Sequence, residues 1–490
     1  MNLVQKTVRG ALWTISTGVG SRILGLVGTL VVTRFVDPSE YGEVMVAAVL
    51  VLTANQFSTL GLGQYIVANP NSGRGIAFCA TVFHVGLGVV AIAGLLAVGG
   101  MLAPAVEAPG MTRFLPGLAL GALLDRVSFM PERILIRDLR FGVVSATRTA
   151  GDVVMTVVSV LLAALGWGGA AIVAGNAARA AVKLVAFLAL AERREWLEPN
   201  RITRKELRAL LGFGVPLAIG AVFHFASRRW DNLLVSRFFG PGPAGMYNLA
   251  YNLADVPAIQ VGEQVGDVLL PSFARLDAER RPAALLRSLA LLGLIVFPLA
   301  VGLGVVAPTL IEALLDPRWH PVAPMLLVLS ALSVTRPVGW TVTTYLQARQ
   351  LTRRILWLEA FKFALLVACM LTLGRHSPLA ACLAVGIAFG LHTLASLWVV
   401  ARLDEVPLRR MLACMAAPLS ACLPMALAVV GIRHALAGLA LPVLLELVLE
   451  VAAGALVYVL FVFAVARAPA KDLLDRLFDA VRRRPAVSQG

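Results

Sequence analysis

Read for hydrophobicity alone, the chain is a succession of long apolar runs separated by short polar stretches. A membrane-spanning helix takes about 20 predominantly apolar residues. Fourteen runs approach or exceed that length: 11–33, 43–66, 76–100, 114–130, 145–166, 169–191, 210–238, 246–271, 286–306, 322–346, 355–373, 378–400, 412–431 and 441–465. Their apolar residues do not alternate at every second position, so the runs predict helices rather than strands of a membrane barrel. Lys6 and Arg9 precede the first run, as in a secretion signal. That run is long and lacks a small-x-small cleavage site, so it is expected to remain as the first helix.

The pattern contains an echo. "VVTRFVDPSEYG" ends the first run and opens the second; "LVSRFFGPGPAG" ends the seventh and opens the eighth. Arg34, Phe35, Pro38 and Gly42 align without a gap on Arg237, Phe238, Pro241 and Gly245. Six spans separate the copies, an even number, so both face the same side of the membrane. This predicts a parallel repeat of two six-helix halves, with a substrate site between them. In each copy Arg closes a helix, Pro breaks it and Gly is expected to permit the tight turn. The expected fold is therefore an all-α polytopic membrane protein. It has an N-terminal six-helix lobe (1–191), a cytoplasmic linker (192–209) and a C-terminal six-helix lobe (210–400). Helices 13 and 14 (401–466) and an amphipathic cytoplasmic tail (467–490) follow.

Composition agrees: the 490 residues are 59% hydrophobic and 14% charged, with mean hydropathy +0.83. A soluble domain is nearer a quarter charged. The net charge of +15 raises the question of nucleic acid. The cations sit in short clusters between apolar runs, with no aromatic-basic binding motif, and no nucleic-acid partner is expected. Membrane topology accounts for them instead. With the N-terminus inside, twenty-nine Lys and Arg fall on the cytoplasmic side and six on the other, which places both termini in the cytoplasm.

Other chemistry is sparse. Five cysteines lie in apolar runs without a CxxC, and six histidines are scattered, so no metal site is expected. No Walker A sequence occurs, so the chain carries no ATPase of its own. The loops leave no room for an extramembrane catalytic domain, and neither an enzymatic activity nor a cofactor is expected. In the tail, Leu473, Leu474, Leu477, Phe478 and Val481 share one helical face, as in a helix lying on the membrane surface.

Eight basic residues fall inside the spans: Arg22, Arg126, Arg179, Lys183, Arg228, Arg229, Arg336 and Lys362. Facing lipid, each would cost about 2.5–3.5 kcal/mol at a helix centre. Some have acids nearby in sequence: Asp125 adjoins Arg126, Asp231 follows Arg228 by three, and Glu359 precedes Lys362 by three. Asp152, Asp255, Glu263 and Asp267 are further acids in the spans. As a set they predict a polar, net-positive cavity suited to an anionic substrate.

"VRGALWTISTGVGSRILGL" at 8–26, the first copy of the echo, "LIRDLRF" at 135–141 and "RRWDNLLVSRFFGPGPAGMYNLAY" at 228–251 resemble a known family. They are similar to the polysaccharide exporters and O-antigen flippases of the multidrug/oligosaccharidyl-lipid/polysaccharide (MOP) exporter superfamily. The resemblance implies that the chain flips an undecaprenyl-pyrophosphate-linked oligosaccharide across the inner membrane, by alternating access of the two lobes. It implies as partners the lipid-linked oligosaccharide, membrane lipids, and a polysaccharide polymerase with a chain-length regulator. Under it, Arg22, Arg228 and Arg229 are expected to hold the pyrophosphate, with Arg126 and Arg336 as further candidates. Asp231, Asp255 and Glu263 are expected to couple an ion. A lipid II-type flippase, a multidrug–cation antiporter and a membrane-embedded sugar polymerase or ligase remain as alternatives.

Overall fold

The computed structural model describes residues 20–21, 24–68, 74–199, 203–439 and 441–465, with all their side chains except those of 68, 74, 205, 216, 258–268 and 271. Among these residues every regular element is a helix. After a helical stretch at 24–32 come α1 (Pro38–Phe57), α2 (Leu62–Ala68), α3 (Arg74–Ala105), α4 (Leu115–Arg137), α5 (Phe141–Ala164), α6 (Gly169–Leu190), α7 (Arg193–Leu197), α8 (Arg204–Phe239) and α9 (Pro241–Arg275). They are followed by α10 (Arg281–Val305), α11 (Ala307–Leu314), α12 (Val322–Leu332), α13 (Thr335–Ala348), α14 (Thr352–Cys369), α15 (Pro378–Asp404), α16 (Leu408–Leu436) and α17 (Val443–Val465). Ten described stretches are long and apolar enough to cross a membrane. The tail at 467–490 lies outside the described residues.

The chain forms two compact units, Met1–Asn248 and Leu249–Gly490, with the division inside α9. In the first, α4 and α6 approach through small residues: Gly117 faces Val173, and Gly121 faces the backbone of Ala177. This is the usual way for membrane helices to come close. Leu62, Ile66, Met130, Ile134, Trp196 and Leu210 form a core that joins α2, α4, α7 and α8. α8 begins with a capping box: Thr203 Oγ1 accepts from Glu206 N at 3.2 Å, and Glu206 Oε2 accepts from Thr203 N at 2.7 Å.

Two runs expected as single helices are broken. In 43–66 the break falls at 58–61, where Leu60 and Gly61 take positive φ of 46° and 60°. Ser58 Oγ donates back to Ala54 O at 2.9 Å and Thr59 Oγ1 to Asn55 O at 2.9 Å. These local bonds compete with the next helical turn. In 322–346 Ser333 Oγ donates to Ser330 O at 2.8 Å and Thr335 Oγ1 to Leu332 O at 3.1 Å, and α12 ends there.

The echo also has an unexpected geometry. Pro38 and Pro241 begin α1 and α9, the position where proline fits a helix. Gly42 and Gly245, however, lie within the first turns of those helices rather than in the turns before them. In the second copy Gly240, at φ 81°, makes the turn. The two motifs instead cross one another. A methyl group on Gly42 would fall on the carbonyl of Pro241, and one on Gly245 on the carbonyl of Pro38. The contact is reciprocal. Close backbone approach explains the paired glycines.

In the second unit, Leu289, Phe297, Tyr345, Met425 and Tyr458 share one core, so α16 and α17 pack on α10 and α13. They are also joined by charge. Glu450 of α17 is fully buried and accepts from Arg433 at 2.8 and 3.0 Å and from Thr309 Oγ1 at 2.7 Å. Removing one partner of a buried pair typically costs about 3–5 kcal/mol, whereas replacing both by apolar groups costs far less. Glu450→Ala is therefore expected to lower the melting temperature of the purified protein sharply. The combined Glu450→Leu/Arg433→Met change should recover much of the loss. Equal melting of Glu450→Ala and parent would count against the pair.

Candidate functional site

α4 carries Asp125, Arg126, Glu132 and Arg133 and is not among the ten strongly apolar stretches. In the first unit it lines a cavity of about 400 Å³ together with the end of α1, α3, α5 and α6. The 3.6-residue helical period brings the charges onto the cavity face: Arg126 and Arg133 are seven apart, Arg148 and Asp152 four, Arg179 and Lys183 four. His84 and Asn55 complete the polar wall.

Arg126 is 2% exposed and acts as a clamp on the break after α1. Its Nη1 donates to Ser58 O at 3.2 Å and His84 O at 3.0 Å, its Nη2 to Asn55 O and Ser58 Oγ, and its Nε to Asn55 Oδ1 at 2.5 Å. The last carbonyls of a helix have no partner within it, and hydrocarbon offers none. Arg126 supplies one. Arg126 Nη1 also lies 3.3 Å from His84 Nδ1. The His84 ring stacks on Phe129 with centroids 4.2 Å apart, and the Arg133 guanidinium sits 4.8 Å from the same Phe129 ring.

The three acids of the cavity each face a cation. Glu132 accepts from Arg148 Nε at 2.7 Å, and Asp125 from Lys183 Nζ at 2.7 Å. Asp152 lies 3.9 Å from Arg179 Nη1, beyond hydrogen-bonding distance. Among the described residues neither Arg126 nor Arg133 has a carboxylate at ion-pair distance, and the five cations of the cavity exceed its three acids by two. Gly151 leaves the space that the stems of Arg179 and Lys183 occupy: a Cβ there would lie 3.1 and 3.4 Å from their Cγ atoms.

Of the other residues expected to bind or couple, those that the structure describes lie elsewhere. Arg22 is outside the described residues, and Glu263 has no described side chain. Arg228, Arg229 and Asp231 stand together on α8. Asp231 is fully buried, yet its partners are Tyr247 OH at 2.6 Å and Asn232 N and Nδ2 at 3.0 Å, not the arginine three residues earlier. Asn232 in turn accepts from Asn248 Nδ2 at 2.8 Å. In the second unit Asp255 and Arg336 pair with each other. The guanidinium of Arg336 also lies 4.5 Å from the Tyr251 ring centroid and 5.5 Å from that of Phe389. Of the four described cations expected to bind, Arg126, Arg228, Arg229 and Arg336, the cavity contains Arg126.

A family model described as "Polysaccharide biosynthesis protein" matches residues 31–324, more than half of the chain. The chain belongs to this family. The chain is 24% identical over 395 residues to the lipopolysaccharide biosynthesis protein WzxC of Escherichia coli (strain K12), covering 80% of this chain and 78% of that protein. It is 24% identical over 486 residues to the succinoglycan biosynthesis transport protein ExoT of Rhizobium meliloti (strain 1021), covering 98% and 96%. Among solved structures it resembles the lipid II flippase MurJ in an inward closed conformation, at TM-score 0.73 and 16% identity over 94% of this chain and 99% of that one. An inward-facing MATE multidrug transporter of the MOP superfamily matches at TM-score 0.61 and 14% identity, over 81% and 99%. The chain therefore shares the fold of these two structures and is a multi-pass membrane protein.

Proposed function

We propose that the chain flips a lipid-linked oligosaccharide across the inner membrane for the synthesis of a surface or exported polysaccharide. The observation that carries this reading is the net-positive cavity set among the membrane-crossing helices of the first unit. A cavity of that sign suits the acidic head group of such a lipid, and the family's named relatives serve lipopolysaccharide and succinoglycan synthesis. Movement proceeds by alternating access of two six-helix lobes in a fourteen-span chain, with no bond made or broken. Arg22, Arg228 and Arg229 add positive charge to the passage, and Asp231 takes part in ion coupling. A polymerase and a chain-length regulator act on the product.

Deleting the gene in its host is expected to stop polymer production and to accumulate the lipid-linked unit on the cytoplasmic leaflet. Accumulation of the unit on the outer leaflet would instead indicate a polymerase or ligase.

The charge asymmetry of the loops supports cytoplasmic termini. Reporter fusions after Gly490 and near Asn200 are expected to read cytoplasmic, and an outer-side signal at either would overturn the fourteen-span topology.

A further inference from the structure

Two buried guanidinium nitrogens in the cavity stand out: the Nε atoms of Arg133 on α4 and of Arg179 on α6 have no hydrogen-bond partner among the described residues. A buried donor left unsatisfied is unfavourable, and native proteins contain few. Here two occur on different helices, and both arginines line the same cavity. That cavity has two more positive than negative side chains. Arg126 is not available to a ligand, because the carbonyls and side chains around the α1 break already occupy its donors. Arg133 is held from one side by the Phe129 ring, and Arg179 is steadied by Asn176 Oδ1 at 2.9 Å. Both guanidiniums are thus positioned, each with a buried Nε that no described residue satisfies.

We propose that the cavity of the first unit is a binding site for a phosphoryl anion, a pyrophosphate group, gripped between Arg133 and Arg179. This inference rests on the reading that the chain carries a lipid-linked oligosaccharide, and it specifies where that lipid's charged head is held. The reasons are charge and shape. A pyrophosphate diester carries two negative charges, matching the excess of two. Its oxygens accept from the Nε edge of a guanidinium bidentately, which an ammonium cannot reproduce. Arg148 and Lys183 already have their acids at hydrogen-bonding distance and contribute chiefly field. Arg179 gives up little when the ligand arrives, since Asp152 is 3.9 Å away. The site's two arginines are not among the Arg22, Arg228 and Arg229 that the sequence favoured.

The test measures binding to the full chain in detergent by calorimetry, with inorganic pyrophosphate, farnesyl pyrophosphate and glucuronate as probes. Both pyrophosphates are expected to bind, and glucuronate is not expected to compete. Tighter binding of the farnesyl compound supports a lipid head group at the site. Equal binding supports a site that reads the phosphoryl group alone. Arg133→Gln and Arg179→Gln should each weaken binding on the order of ten- to a hundred-fold, the worth of a charged hydrogen bond. Arg113→Gln, an exposed arginine outside the cavity, should bind as the parent does. Arg133→Lys and Arg179→Lys keep the charge and lose the fork, so they should bind more weakly than the parent. Parent-like binding by the Lys variants would overturn the bidentate grip. Absence of pyrophosphate binding to the parent, or parent-like binding by both Gln variants, would overturn the site. Lipid transport that persists in the double Gln variant would also overturn the site while leaving the flippase reading intact. Absence of transport by the parent would overturn the flippase reading itself.

Discussion

Arg126→Met protein is expected to be scarce in the membrane and, once purified, to melt well below the parent. The substitution keeps an apolar stem of similar length and deletes every donor. Asn55 O and Ser58 O at the break, and His84 O on α3, then lose their guanidinium partner, and hydrocarbon supplies no other. At about 1–3 kcal/mol for each unsatisfied buried group, and allowing for non-additivity, the loss should be on the order of 3–5 kcal/mol. Arg126→Lys should recover only part of it, because an ammonium cannot span the same acceptors. The sequence placed Arg126 among the pyrophosphate ligands, and this experiment separates the two roles. A stable Arg126→Met protein that has lost transport would favour the ligand role. Thermal unfolding in detergent, paired with transport per molecule, reads both.

The reciprocal crossing of the echo motifs gives the second large effect. Valine at Gly42 or at Gly245 must displace the backbone carbonyl of Pro241 or Pro38, and a backbone carbonyl has no rotamer to escape into. Overpacking into side chains typically costs about 1–3 kcal/mol, and backbone obstacles should lie at or above the top of that range. Both variants should show reduced folded yield and lower melting. Gly86→Ala is the contrast: its Cβ would meet nothing within 4 Å. In a helix interior that change is expected to be neutral or to stabilise by about 0.5–1 kcal/mol. If Gly42→Val and Gly86→Ala melted alike, the crossing would not be the reason for the repeated glycine.

Much of this molecule is legible from hydropathy, because in a membrane the backbone must bond within each helix and the apolar runs have to be helices. What hydropathy does not register is polar punctuation inside a run. Ser58 and Thr59 look innocuous in an apolar window, yet their back-bonds and the positive φ of Leu60 and Gly61 end α1 and create the carbonyls that Arg126 serves. The cavity was only half visible. Arg179 and Lys183 stood out as cations in an apolar run, but their acids, Asp152 and Asp125, come from other helices and cannot be paired by spacing. Arg133 and Arg148 were counted with the loop charges, because α4 and α5 continue beyond the apolar windows as far as Arg137 and back to Phe141. Their spacing from Arg126 and Asp152 was the available signal. Glu450 was missed although a carboxylate deep in an apolar run calls for a cation, and Arg433 had been assigned to a loop. Asp255 and Arg336, each singled out for a different task, turned out to pair with each other.

The claim that the chain moves a lipid-linked oligosaccharide is tested most directly in sealed vesicles. Purified protein is reconstituted with an oligosaccharide-pyrophosphoryl-polyprenol, and a glycosidase is added outside. The sugar on the inner leaflet should become reachable in vesicles that contain the protein, at a rate that rises with protein content. In protein-free vesicles it should stay protected. Continued protection of the inner-leaflet sugar in vesicles that contain folded, correctly inserted protein would contradict the proposed function.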